Sequence, residues 1–323
     1  MPALLDIQDL KIDFRTDEGT VKAVDGVSYT VEPGETVAVV GESGSGKSVS
    51  ALAVMGLLPS PPATVTGRVM FDGRDLLTLD DKAMHDVRGG SIGMVFQEPM
   101  TSLNPLLSIG TQLREGMEQH LGLTAKAADA RAIDILRMVG ISDPARRLKQ
   151  YPHHFSGGMR QRVMIAIALS CEPKLIIADE PTTALDVTIQ AQILKLMKDL
   201  TSRMGVALIL ITHNLGIVAR YATHVNVMYA GRIVENGRTA EIFATPQHPY
   251  TLGLLTSVPR MDKPSHERLI PIDGQPPDLG RLDAGCSYRP RCRYAVAECA
   301  DSKPSLEAVA QDHASACFRS AEL

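Results

Sequence analysis

Residues Gly41-Glu42-Ser43-Gly44-Ser45-Gly46-Lys47-Ser48 fit the pattern G-x-x-x-x-G-K-[ST] at every fixed position. The chemistry that needs this spacing is the cradling of a polyphosphate. A loop between a strand and a helix brings backbone N–H groups and a helix N-terminus to anionic oxygens. Glycines let the main chain come close where a Cβ would block it. Lys47 is expected to place a point charge on the β- and γ-phosphates, and the Ser48 hydroxyl to hold Mg²⁺. Gly41, Ser43, Gly44, Ser45, Gly46 and Val49 complete the candidate triphosphate site. The plainer alternative is a Gly/Ser-rich turn, which four fixed positions in a strand-loop-helix context argue against. By itself the loop does not separate GTPases, kinases, helicases and transporter ATPases.

A second constellation lies downstream, where Leu175-Ile176-Ile177-Ala178-Asp179-Glu180 reads as a buried strand ending in two carboxylates. Asp179 suits a Mg²⁺ contact, direct or through water. Glu180, one residue on, suits a general base that polarises an attacking water. Strands often end in solvated acids, but here a phosphate loop precedes this one. The third constellation is four thiols, Cys286, Cys292, Cys299 and Cys317, spaced C-x5-C-x6-C-x17-C within the last 38 residues. Only Cys171 lies elsewhere, and it reads as a small core residue. Such clustering in a Pro-rich segment with little expected hydrophobic core suggests that a metal holds it folded. Zinc would accept four thiolates, although its usual C-x2-C hooks are missing. An iron-sulfur cluster takes four thiolates with freer spacing. Spacing leaves both open.

These groups must be positioned by a layered framework. Leu4 to Phe14 and Val21 to Val31 alternate as strands around Gly19-Thr20, and the turn Glu32-Pro33-Gly34-Glu35 leads into an apolar strand at Thr36 to Val40. A helix follows Gly46 to about Leu58, closed by Pro59-Ser60-Pro61-Pro62. Segments 106–121 and 126–140 have helical apolar spacing. From 157 onward the order is helix (158–170), strand (174–179), helix (187–203), strand (206–212) and helix (214–221). That alternation predicts right-handed crossovers and a parallel sheet covered by helices. Val225 to Tyr229 and Arg232 to Val234 read as a hairpin about Ala230-Gly231. Beyond about residue 240 periodicity fades and prolines accumulate, from Pro246 to Pro290.

At 323 residues the chain has room for one large domain and a smaller one. Its net charge of −4 offers no basic field for nucleic acid. The longest apolar runs fall far short of the ~20 residues that span a bilayer. The N-terminus, Met-Pro-Ala-Leu-Leu-Asp, lacks the basic start and long apolar core of a secretion signal. A cytosolic setting without disulfides is expected.

Further motifs carry a family resemblance. Phe155-Ser156-Gly157-Gly158-Met159, followed by Arg160-Gln161-Arg162 and an apolar helix, resembles the signature sequence of ATP-binding-cassette (ABC) ATPases. Gln97 in Val95-Phe96-Gln97-Glu98-Pro99 resembles their Q-loop, Thr183-Ala184-Leu185-Asp186 their D-loop, and His213 their switch histidine. The match covers residues 1 to about 235. It departs at Met159, where glutamine is most frequent, and at Asn214, where aspartate is usual. The stretch QEPMTSLNP from Gln97 to Pro105, together with Gln247-His248-Pro249-Tyr250-Thr251, Leu254-Leu255 and Val258-Pro259, resembles the oligopeptide, dipeptide and nickel importer subgroup, in particular the D-type ATPases of dipeptide importers.

The resemblance implies an α/β fold: a P-loop NTPase nucleotide-binding domain with an antiparallel β subdomain, a RecA-like core and a helical insertion at about 100–165. It implies an ABC ATP-binding domain over residues 1–240 and a small, irregular, Cys-rich extension over 241–323. It assigns catalysis to Glu180 and His213, Mg²⁺ to Ser48, Gln97 and Asp179, and a facing partner's nucleotide to Ser156, Gly157, Gly158 and Met159. Asp186 is assigned to the D-loop contact, and Phe14 is the candidate for adenine stacking, with core packing as its alternative. ATP and Mg²⁺ are the implied ligands, and the resemblance favours a [4Fe-4S] cluster over Zn²⁺ for the four cysteines. It further implies import of dipeptides or short peptides from the cytoplasmic face of the inner membrane. The expected partners are a second cassette in a heterodimer, two membrane permease subunits and an external binding protein. Nickel complexes, glutathione or other small solutes are alternative cargoes. A cassette ATPase acting on DNA or ribosomes would be expected to carry a second cassette, a coiled coil or a basic insertion, which this sequence lacks.

Overall fold

A computed structural model describes residues 2–183, 185–257 and 271–323. Ala184 of the D-loop motif and Val258-Pro259 of the tail motif lie outside the described residues. The chain divides into two compact units: Met1–Val31, Thr36–Leu77 and Thr212–Leu323 form one, and Glu32–Glu35 and Thr78–Ile211 the other.

In the first unit, an antiparallel sheet runs in the order Gly19–Val31, Leu5–Thr16, Ala63–Phe71, Arg74–Asp75. Leu5 and Ile7 are buried, as are Leu10 and Ile12, so the inward phase slips by one residue between the pairs. A bulge at this point, with Asp9 at φ 46°, absorbs the extra residue and keeps both pairs on the core face. A second sheet contains, in order, Glu307–Ala310, His313–Ser315, Arg232–Arg238, His224–Tyr229 and Thr36–Val40. Thr36–Val40 pairs parallel with His224–Tyr229, and the remaining ladders are antiparallel. The 224–238 hairpin turns at Ala230-Gly231, both with positive φ, as a tight two-residue connection requires.

The helix after the phosphate loop is shorter than expected, spanning Lys47–Val54. Gly56 at φ 58° ends it before the prolines: its N–H donates to the Ala53 carbonyl and that of Leu57 to the Leu52 carbonyl, a Schellman closure. The segment beyond residue 240 is more regular than its periodicity suggests, with helices at Thr239–Ala244 and Pro249–Thr256. It also has the core that the sequence reading denied it. Tyr250, Leu254 and Tyr288 are buried among Ala38, Val40, Val227 and Tyr229, and Ile272, Leu279, Leu282, Cys286 and Cys292 pack against that cluster. Its sparse aliphatics are supplemented by a contiguous group of tyrosines, which bury large areas each.

In the second unit, the strands Ile92–Val95, Leu175–Asp179 and Ala207–Thr212 are parallel neighbours, Thr212 itself belonging to the first unit. Leu175–Asp179 is buried throughout, in keeping with its unbroken apolar run. The expected helices appear at Ile109–Leu121, Ala125–Met138, Gly157–Leu169 and Val187–Met204. Ser108, Thr124, Ser156 and Asp186 cap them through side-chain oxygens. Ile109, Leu113 and Met117 bury one stripe of the first, at the spacing seen in the sequence.

Candidate functional site

The phosphate loop leaves the buried strand Thr36–Val40 and enters the helix at Lys47. A Cβ on Gly41 would lie 2.2 Å from the Met228 carbonyl oxygen, and one on Gly46 2.5 Å from that of Ala23. Both glycines are therefore required by close backbone approach. Ser45 and Lys47 are buried, Ser48 and Val49 half-buried, and Ser43 and Gly44 exposed. The Lys47 ammonium is curled into the loop, donating to the Gly41 and Glu42 carbonyls at 2.8 Å each and reaching the Ser45 Oγ at 3.4 Å. A cation inside a turn of backbone amides is chemically suited to an anion, the role the sequence expects of this loop.

Glu42, an unspecified position of the motif, is held from three sides. Arg291 grips its carboxylate in a two-pronged ion pair, Nη1 to Oε2 at 2.6 Å and Nη2 to Oε1 at 3.0 Å. The Glu42 N–H donates to the Tyr250 hydroxyl at 2.8 Å. Tyr250 is brought there by the Gln247-His248-Pro249-Tyr250 segment, each residue of which has a local task. The Gln247 N–H donates to Glu235 Oε1 at 2.6 Å. His248 Nδ1 caps the following helix by accepting from the Tyr250 N–H at 3.0 Å. Burial lowers the His248 pKa to about 3, so the ring is neutral and Nδ1 stays free to accept. Pro249 occupies the first helical turn, where no N–H is needed. Sequence reasoning missed these contacts to Glu42, and only the QHPYT cluster signalled them.

His213, also in the first unit, is exposed just past the strand Ala207–Thr212. Asn214 caps the next helix, its Oδ1 accepting from the Gly216 N–H at 2.9 Å, so the departure from aspartate leaves the cap intact. Phe14 is half-buried in its strand, opposite Val21 and Ala63.

The second unit brings Gln97, Glu180 and Thr183 together. Gln97 Nε2 donates to Glu180 Oε2 at 3.1 Å, and the Thr183 hydroxyl donates to the same oxygen at 2.8 Å. Glu180 sits at φ 43°, a left-handed conformation that costs a non-glycine residue about 1–3 kcal/mol. Its N–H donates to the Ile211 carbonyl and its carbonyl accepts from the Thr183 N–H, which hold the bend. Asp179, one residue earlier, is buried at the strand end. Thr183 has a role the motif comparison did not single out, since it orients the carboxylate of the candidate base.

Ser156 is exposed and caps its helix through the Met159 N–H, with Met159 half-buried. Gly158 has a packing reason too, because a Cβ there would stand 3.0 Å from Ile189 Cγ2. Asp186 caps the helix holding Ile189, accepting from the Ile189 N–H at 3.0 Å. The signature and D-loop residues thus build the junction of two helices before any partner is considered.

All four tail cysteines line one cavity, with Pro249, Tyr288, Tyr294 and Phe318 in its wall. Cys299 is buried and the other three half-buried. The Cys286 N–H donates to the Cys299 carbonyl at 2.9 Å, tying the first and third cysteines by main chain. Burial pushes the Cys292 thiol up to about 11 and raises those of Cys286 and Cys317. Among the described residues there is no group of three or more His, Cys, Asp or Glu that could hold a metal ion in the present arrangement. Cys171 is buried as expected. No helix of the described residues is long and apolar enough to cross a membrane.

Residues 24–183 match the ABC transporter family and residues 234–299 the oligopeptide/dipeptide transporter C-terminal region. The chain is 52% identical to the dipeptide transport ATP-binding protein DppD of Bacillus subtilis over 98% of its own length and 95% of that protein. It is 51% identical to the oligopeptide transport ATP-binding protein OppD of the same organism, over 96% and 87% of the two chains. Among solved structures, the dimeric cassette MJ0796 bound to ADP and Pi superposes with a TM-score of 0.65 at 26% identity, covering 73% of this chain and 98% of that one. The cassette cbiO1 of Clostridium perfringens gives 0.64 at 31% identity, covering 76% and 92%.

Proposed function

The chain belongs to the ABC transporter ATP-binding proteins of the oligopeptide/dipeptide type, and from that membership we propose how its residues serve an ATPase subunit that powers peptide import. Lys47 and Ser48 bind the triphosphate and its Mg²⁺, assisted by the amides of Gly41 to Val49 and by Asp179. Glu180 is the general base for the attacking water, with Gln97 and His213 as its polar neighbours in the reaction and Phe14 as the candidate for adenine. Ser156, Gly157, Gly158 and Met159 serve the nucleotide of a facing cassette, and Asp186 belongs to the same contact. Closure of two cassettes around ATP, passed on through the Gln97 loop and the helical insertion, drives a pair of permease subunits fed by an external binding protein. The second cassette is a different chain, the complex sits at the cytoplasmic face of the inner membrane, and dipeptides are the favoured cargo. On this reading residues 1–240 are the ATP-binding domain and 241–323 the extension.

The observation that carries the catalytic reading is the Glu180 carboxylate oriented by Thr183 at 2.8 Å and Gln97 at 3.1 Å beside Asp179. In the assembled transporter, with the facing site independently disabled, Glu180→Gln should lower ATP turnover by roughly 10²–10⁴-fold, the usual contribution of a positioned base. Undiminished turnover would remove Glu180 from the mechanism.

For the extension we propose a [4Fe-4S] cluster on Cys286, Cys292, Cys299 and Cys317, with Zn²⁺ the alternative. The support is a donor set of four thiols on one largely apolar cavity. These four thiolates would hold the group, which would supply a cross-link between the 286–299 segment and the C-terminal Cys317.

A further inference from the structure

A carboxylate at the second position of a phosphate-binding loop is electrostatically unfavourable for a polyanion. Glu42 places one there, and Arg291 neutralises it from 249 residues away in the chain. The Arg291 side chain is only 5% exposed. Its Nε donates to the Asp273 carbonyl at 2.9 Å, Nη2 also reaches the Gly274 carbonyl at 3.4 Å, and the guanidinium lies over the Tyr229 ring, 5.9 Å from its centroid. A fork held this firmly and largely removed from water is a stronger partner than an exposed ion pair.

The same glutamate also carries the backbone link. Its N–H is bound by Tyr250 and its carbonyl by the Lys47 ammonium, so side chain, amide and carbonyl each meet a different partner. Two of those partners, Arg291 and Tyr250, come from the segment after residue 240. The third is the lysine of the phosphate loop itself.

We propose that the extension is a clamp on the phosphate loop, in which Arg291 and Tyr250 act through Glu42 to cancel its charge and to fix the loop backbone at that residue for triphosphate binding. Arg291 is thus a positioning residue for nucleotide binding, and the inference rests on the reading of this loop as the ATP site. The arginine lies on the turn Arg289–Arg291 that runs directly into Cys292.

The test is a double-mutant cycle on the full chain, titrated with a fluorescent Mg·ATP analogue, with KM and kcat measured in the assembled transporter. Arg291→Met should weaken nucleotide binding about tenfold in the wild-type background, within the usual span of couplings between sites. In a Glu42→Gln background, where no carboxylate needs cancelling, the same change should cost less than about threefold. KM should rise by the same factor as Kd while kcat stays within about twofold, because Glu180 and Gln97 are untouched. Arg291→Lys keeps the charge but not the fork and should fall between. If Arg291→Met folds poorly, as its unfolding temperature will show, Arg291→Lys supplies the second arm of the cycle beside Glu42→Gln. An Arg291 effect equal in both backgrounds, or an unchanged Kd, would overturn the clamp. If the wild-type chain binds no Mg·ATP, or binds it equally well after Lys47→Ala, the ATP reading of the loop fails along with it.

Discussion

Glu235 offers the sharpest energetic test of how the C-terminal strand is attached. It is fully buried, accepts from the Gln247 N–H at 2.6 Å and pairs with His313 Nε2 at 2.8 Å. One carboxylate thereby joins the strand Arg232–Arg238, the segment leading to Tyr250 and the strand His313–Ser315 that precedes Cys317. Replacing it with alanine strands two buried polar partners, at about 1–3 kcal/mol each. The expected loss is roughly 2–6 kcal/mol, or about 4–24 °C in the unfolding temperature at about 2–4 °C per kcal/mol for a unit of this size. Glu235→Gln keeps an acceptor for both partners and should cost less than about 1.5 kcal/mol.

Wild type and the glutamine variant also separate by pH. Burial is the main influence on the Glu235 carboxyl and holds its pKa above the ordinary 4.5. A group raised in the folded state contributes stability that is complete below its unfolded pKa and is lost as pH rises through the folded one. Wild type should therefore lose stability relative to Glu235→Gln as pH climbs from about 4.5 upward. Thermal unfolding by circular dichroism, run in parallel with the rate at which Cys317 reacts with a thiol reagent, reads both effects. An alanine variant within 1 kcal/mol of wild type by the usual ~1–3 kcal/mol scale of an unpaired buried group, with unchanged thiol reactivity, would refute the reasoning.

Other expectations are simpler. Gly41→Ala forces a Cβ to 2.2 Å from the Met228 carbonyl and should abolish Mg·ATP binding, measurable by equilibrium titration, while distant elements stay folded. Thr183→Val should lower kcat by about 10- to 150-fold at unchanged KM, one lost hydrogen bond to a charged group being worth roughly 1.5–3 kcal/mol; an unaltered kcat would deny the hydroxyl its orienting role. Anaerobic purification followed by iron, sulfide and zinc analysis should return iron and sulfide with the protein, and stoichiometric zinc without iron would defeat the cluster proposal.

Much of the candidate site was legible in the sequence because its chemistry is local. The loop from Gly41 to Ser48, the strand ending at Asp179-Glu180 and the capped helix at Ser156 each carry their chemical groups within a few residues of one another, so spacing identifies them. The strands Leu175–Asp179 and Ala207–Thr212 were legible for a similar reason, since buried strands read as unbroken apolar runs, whereas Ile92–Val95, short and broken by Gly93, was not read from the sequence. The bulge at Asp9 and the early helix stop at Gly56 were harder, because each turns on one residue adopting a positive φ. The tail was misjudged. Its core is made of tyrosines and of residues lent by the strands Thr36–Val40 and His224–Tyr229, which leave no periodicity in the tail's own sequence.

What the amino-acid order determined unaided, then, is the set of candidate catalytic and phosphate-binding side chains and the elements that present them. What tertiary structure alone decided is which distant groups face one another. Glu42 meets Arg291, Glu235 meets His313 and four spread cysteines share one cavity only because strands and turns far apart in the chain are packed together. Such pairings follow from the closure of long loops around a buried core, and no local pattern encodes which residues will face each other when the loops close.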